Sequence, residues 1–150
     1  MRFPWKRGAS KDQLIVSWSG KTLAFVRARA KADGAFFVQQ WGVERQGDDS
    51  LEAFAQRLQA MGLKGAKTHV MLRADQYQLL QIEAPAVAPE ELRSAARYQI
   101  RDMVNTHIDD ITMDVLRVGD GQQKAANQLF VVAATNAVVR EALDLAQAMH

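Results

Sequence analysis

The 150-residue sequence contains no cysteine. This excludes a disulfide scaffold, thiolate zinc sites and cysteine catalysis, and it is compatible with a reducing compartment. Long apolar runs are missing as well. The most apolar stretch, Leu129-Phe130-Val131-Val132-Ala133-Ala134, falls far short of the roughly 20 residues that a helix needs to cross a bilayer. No secretory leader pattern precedes it, and no repeat or low-complexity tract appears. At 48% hydrophobic and 24% charged residues, the chain has the make-up of one compact domain or two small lobes.

The chemistry-bearing motifs are also sparse. A phosphate loop needs closely spaced glycines opening a helix, so that backbone N–H groups surround the anion. None of the nine glycines is so placed. The nearest candidate is a hairpin turn, Ser17-Trp18-Ser19-Gly20-Lys21, which reads as a structural turn. His69, His107 and His150 are the only histidines, and no two have the i, i+4 spacing of a helical metal site. His69 lies in an apolar strand and is expected to be a hydrogen-bonded core or edge residue, and His107 belongs to a loop. Asp109, Asp110 and Asp114 lack the glycine and alternating spacing of a calcium loop, so they read as capping or surface groups. Neither a metal nor a cofactor is expected.

Charge is unevenly spread. Residues 1–31 hold eight basic side chains against Asp12 alone, a local charge of +7, while residues 32–150 carry eleven basic and sixteen acidic groups, −5. The basic, aromatic start Met1-Arg2-Phe3-Pro4-Trp5-Lys6-Arg7 reads first as a solvated terminus, with too few charges for firm binding although peripheral contact with an anionic membrane face is open to it. The acidic body argues against nucleic acid as a partner.

The order of elements is clearer. Residues 13–18, 22–29 and 35–43 alternate as strands, with turns at Gly20 and Asp33-Gly34, which makes an antiparallel meander. Asp49, with Glu52 three residues on, reads as a capping box, and Leu51, Phe54, Ala55, Leu58 and Met61 follow at helical spacing before Gly62. Strands at 68–72 and 77–82 come next. Pro89 suits the first position of a helix running to about Val104, with Leu92, Ala95, Ala96, Ile100, Met103 and Val104 as its buried stripe. Two strands, 111–118 and 128–133, flank the turn-rich Gly119-Asp120-Gly121. A last helix starts near Thr135 or Asn136 and buries Val138, Val139, Ala142, Leu145, Ala146 and Met149. It reaches His150 without a stop signal, so the sequence reads as cut short there. On the helix from Pro89, Arg93, Arg97 and Arg101 recur every four residues, a basic ridge that reads first as a solvated helix face and is also able to engage a carboxylate-bearing partner or a phosphate backbone.

In this order, the strand–turn–strand of residues 14–26, the capped helix of 49–61, the segments Ile82-Glu83-Ala84-Pro85 and Pro89-Glu90-Glu91-Leu92, Ala96, Tyr98, and Asp109-Asp110-Ile111-Thr112-Met113-Asp114-Val115 resemble the first half of the actin-like PilM family of type IV pilus assembly. They equally resemble its GspL counterparts in type II secretion. The branch serving mannose-sensitive haemagglutinin (MSHA) pili is the most similar. The resemblance implies an α+β fold, the first lobe of an actin-like (RNase H-like) fold. It would comprise a basic tail at 1–12, a βββαβ unit at 13–76, an inserted βαββ subdomain at 77–133 and a returning helix at 134–150. It implies a scaffold at the cytoplasmic face of the bacterial inner membrane, linking an assembly ATPase to the cytoplasmic tail of a membrane pilus or secretion protein, with Arg93, Arg97 and Arg101 facing that partner. In an actin-like ATPase the first hairpin carries an aspartate that manages magnesium and phosphates. Ser17 stands in its place and Trp18 beside it is expected to crowd a phosphate, so the resemblance implies a non-enzyme rather than an ATP-binding protein of the actin or sugar-kinase type.

Overall fold

The computed structural model describes residues 12–117 and 127–150. The basic tail before Asp12 and the Gly119-Asp120-Gly121 turn lie outside the described residues. The chain forms two compact units, Met1–Leu72 with Ala142–His150, and Arg73–Glu141.

The first unit is built on a four-stranded sheet in the order β3-β2-β1-β4. Strands β1 (Asp12–Ser19), β2 (Thr22–Ala30) and β3 (Phe36–Arg45) form the expected antiparallel meander, and β4 (Lys67–Val70) runs parallel to β1. Gly20 and Lys21 both take left-handed φ, 55° and 60°. That makes the two-residue turn match the twist of its strands. Between β2 and β3 the register shifts at Arg27/Ala28, leaving Gln39 as a bulge.

Alternation places Leu14, Val16 and Trp18 of β1 on one sheet face, with Leu23 and Phe25 of β2 beside them, all nearly inaccessible. Helix α1 (Leu51–Leu58) covers that face with Phe54, Ala55 and Leu58, joined by Leu145 and Met149 from the chain's last turns. Each large side chain so buried contributes about 1.5–3 kcal/mol. After α1 a widened turn, Gln59–Leu63, ends where Gly62 adopts φ 87°, as the glycine predicts. The cap differs from expectation. Ser50, not Asp49, is the N-cap: its Oγ accepts from the Ala53 N–H at 3.1 Å. Asp49 instead accepts from Arg57, whose guanidinium lies 4.9 Å over the Phe54 ring and also reaches Glu44 and the Arg45 carbonyl.

The second unit has a three-stranded antiparallel sheet, β5-β7-β6, from β5 (Gln78–Glu83), β6 (Ile111–Arg117) and β7 (Gln128–Thr135). Helix α2 (Leu92–Gln99) lays Leu92, Ala96 and, one turn on, Ile100 against Ile82, Ile111, Met113, Leu129 and Val131. It is shorter than predicted at both ends. Pro89 sits in the preceding turn, where its carbonyl accepts from the Leu92 N–H at 3.4 Å. Beyond Gln99 the chain tightens into a 3₁₀ turn, Ile100–Asp102, which swings Met103 out to 45% exposure instead of onto the buried stripe. Helix α3 (Asn136–Ala148) follows β7 directly.

Candidate functional site

Three features invite a functional reading: the first hairpin, the arginines of α2, and an apolar sheet face that sequence reasoning missed.

In the hairpin, strand alternation sends Ser17 and Trp18 to opposite sides. Trp18 is 4% exposed and packs on Phe54 with ring centroids 5.6 Å apart. It therefore belongs to the core and does not crowd the turn, contrary to expectation; a side chain one position along a strand must point the other way. The Ser17 Oγ is buried without a hydrogen-bond partner among the described residues. Ile15, Ala24, Val26, Trp41 and Val43 share its face around a shallow cavity of about 310 Å³. A hydrated magnesium ion needs carboxylates or other oxygens around its waters, and this setting of one hydroxyl among hydrocarbon does not fit it.

The arginines of α2 are not three equivalent cations. Arg93 Nη2 donates to Asp114 Oδ1 at 2.7 Å. That guanidinium, aided by the Val115 N–H, holds the Asp114 carboxyl below its ordinary value. Arg97 is half-buried and its Nη2 donates to the Ile108 carbonyl, tying α2 to the loop before β6. Arg101 is exposed, and among the described residues its ion pair is with its neighbour Asp102, at 3.6 Å. Tyr98, next to Arg97, is 78% exposed. Of the three predicted side chains, Arg101 is thus the most available to a partner, Arg93 is shared with Asp114, and Arg97 supports the fold.

The remaining candidates are structural. His69 Nε2 lies 2.7 Å from Gln13 Oε1 across the parallel β1–β4 pair, the hydrogen-bonded strand histidine expected. His107 caps the 3₁₀ turn Ile108–Asp110. The Asp109 carbonyl accepts from Asn136, and Asp114 is taken by Arg93. Asp12, the only acid among the first 31 residues, receives Arg29 Nε at 2.6 Å and Arg27 Nη2 at 2.9 Å. Two of the cations behind the local +7 are therefore spent on joining β1 to β2.

The apolar face is the reverse of the first sheet. Trp41 is 75% exposed, Val43 62% and Met71 57%, with Ile15 and Val26 beside them. Its sequence signal was available: β1, β2 and β3 are apolar at both odd and even positions, which a strand covered on one face alone does not need.

No family model and no curated protein matches this chain. Solved structures do. The cytoplasmic domain of EpsL, an inner membrane component of the type II secretion system of Vibrio cholerae, aligns over 92% of this chain and 53% of its own, at 20% identity and a TM-score of 0.68. The PilM-PilN type IV pilus biogenesis complex aligns over 95% of this chain and 45% of the matched chain, at 15% identity and a TM-score of 0.69. The chain spans about half the length of the solved chains it matches. At these identities the likeness establishes the fold, which is the expected α+β first lobe of an actin-like fold.

Proposed function

We propose that this chain is part of a non-catalytic scaffold of type IV pilus biogenesis, of the MSHA kind, similar to MshI. In this reading it acts at the cytoplasmic face of the bacterial inner membrane. There it couples the cytoplasmic assembly ATPase to an inner-membrane pilus protein, whose cytoplasmic tail it holds. A GspL-like role in type II secretion is the neighbouring alternative.

One observation carries the non-catalytic reading. The position that resemblance assigns to a metal-managing carboxylate is Ser17, and its hydroxyl is buried among apolar side chains without a partner among the described residues. A nucleotide site built around that hairpin would lack the acceptor that organises magnesium's water shell. The likeness to a secretion component and to a pilus biogenesis complex supports an assembly role. The partner tail is proposed to contact residues 77–133 through the arginines of α2. Arg101 and Arg93 take part directly and Arg97 holds the helix in place.

Two experiments test this. Isothermal titration of the complete protein with ATP and magnesium is expected to give no binding heat, and stoichiometric binding overturns the reading of Ser17. Arg93→Glu with Arg101→Glu is expected to weaken capture of the membrane partner's cytoplasmic tail. Unchanged capture removes the arginines from the interface.

A further inference from the structure

We infer that the free edge of β3 is a self-association seam, which pairs antiparallel with β3 of a second copy about a twofold axis at Gly42. This goes beyond the scaffold reading and does not depend on it.

Strand β3 ends the sheet order β3-β2-β1-β4, so its far edge pairs with no strand among the described residues. Such an edge offers a row of backbone donors and acceptors, and sheet proteins commonly blunt it with proline or lysine. Phe36–Arg45 contains neither. The bulge at Gln39 interrupts the first part of the strand, but Gln40–Arg45 keeps an unbroken register with β2. Along that segment exposure alternates, with Trp41, Val43 and Arg45 exposed and Gln40, Gly42 and Glu44 half-buried.

The segment Gln40-Trp41-Gly42-Val43-Glu44 is complementary to its own reverse. With the axis at Gly42, Trp41 lies opposite the partner subunit's Val43 and Val43 opposite the partner subunit's Trp41, on the face where both are exposed. Aromatic against β-branched is a favoured cross-strand pairing. Gln40 then meets the partner subunit's Glu44, whose carboxylate Arg57 of its own copy also holds, so no two like charges face each other within Gln40–Glu44. At the axis itself, glycine meets glycine, which lets the two backbones approach closely. The pairing also extends the apolar face: Trp41 and Val43 continue into Val26 and Ile15 of the same copy. An isologous contact of this type closes after two copies. An edge seam is small, so the dimer is weak and concentration-dependent.

The absence of cysteine from the chain makes the register directly testable. Sedimentation velocity is expected to show twice the monomer mass emerging with concentration, and Trp41→Lys or Val43→Lys to abolish it while far-ultraviolet circular dichroism stays unchanged. Ile15→Lys, on the same face but on β1, is expected to keep the dimer. Under mild oxidation, Trp41→Cys mixed with Val43→Cys is expected to cross-link more completely than either variant alone. A chain that stays monomeric at every concentration overturns the inference. So does a dimer lost in Ile15→Lys but kept in Trp41→Lys, which would place the contact on the sheet face, and so does cross-linking that favours one variant alone.

Discussion

Arg29 Nε donates to Asp12 Oδ1 at 2.6 Å, across the antiparallel pair that places Asp12 directly opposite Arg29. Arg27 joins the same carboxylate and with its other nitrogen donates to the Gly62 carbonyl. A single acid therefore links the first strand, the second strand and the turn that ends α1.

This arrangement sets an acid limit on stability. The hydrogen bonds from Arg29 and Arg27 lower the Asp12 pKa from 3.8 to about 2. A depressed carboxylate stabilises the folded state fully above its unfolded pKa, and the contribution fades as pH falls through the folded one. Asp12→Asn is expected to lower the melting temperature at neutral pH. Thermal melts should bring the variant and the parent progressively together as pH falls from about 4 through about 2. A gap as large at about pH 2 as at neutral pH would mean that the role of Asp12 is not ionic.

The cap of α1 gives a sharper comparison. Ser50 Oγ receives the Ala53 N–H, and the Glu52 carboxyl is held below its ordinary value by its own N–H and by the Ser50 hydroxyl. Ser50→Ala is expected to cost about 1 kcal/mol in urea unfolding. Asp49→Ala, which removes only one contact of the exposed Arg57 pair, should cost about half of that or less. The reverse order would restore Asp49 as the cap.

Much of this was legible in the sequence, and the misses have local causes. Alternation at Leu14, Val16 and Trp18, the turn at Gly20 and the helical spacing of Leu92, Ala96 and Ile100 each specify one backbone state strongly. At Asp48-Asp49-Ser50 three consecutive side chains can cap, and only the backbone angles choose among them. Pro89 satisfies the first turn of a helix and an isolated turn equally well. The arginines of α2 share one spacing but have different surroundings, because the partner of Arg97 is a backbone carbonyl eleven positions away, which leaves no mark on composition. The apolar reverse face escaped because a strand reads as core from one of its two faces alone.

Core and arginine roles separate in the same assay. Phe54 is fully buried between Trp18 and the Arg57 guanidinium, so Phe54→Ala is expected to cost about 3–5 kcal/mol. Arg97→Ala, which removes the hydrogen bond to the Ile108 carbonyl, should cost about 1–2 kcal/mol. Arg101→Ala should leave the urea midpoint unchanged, since its pair with Asp102 is exposed at both ends. Equal costs for the two arginines would refute the division between support and availability.

Ser17 decides between two accounts of the first hairpin. A buried hydroxyl without a partner forfeits its hydration and gains nothing in return, so Ser17→Ala is expected to be neutral or to stabilise the protein by up to about 1 kcal/mol. A serine retained for nucleotide chemistry would be compensated by a ligand. Thermal melts with and without ATP and magnesium distinguish the two: the parent and Ser17→Ala should each melt at a temperature that ATP does not move. Stabilisation of the parent by ATP, abolished in Ser17→Ala, would show that the hydroxyl meets a phosphate or its metal.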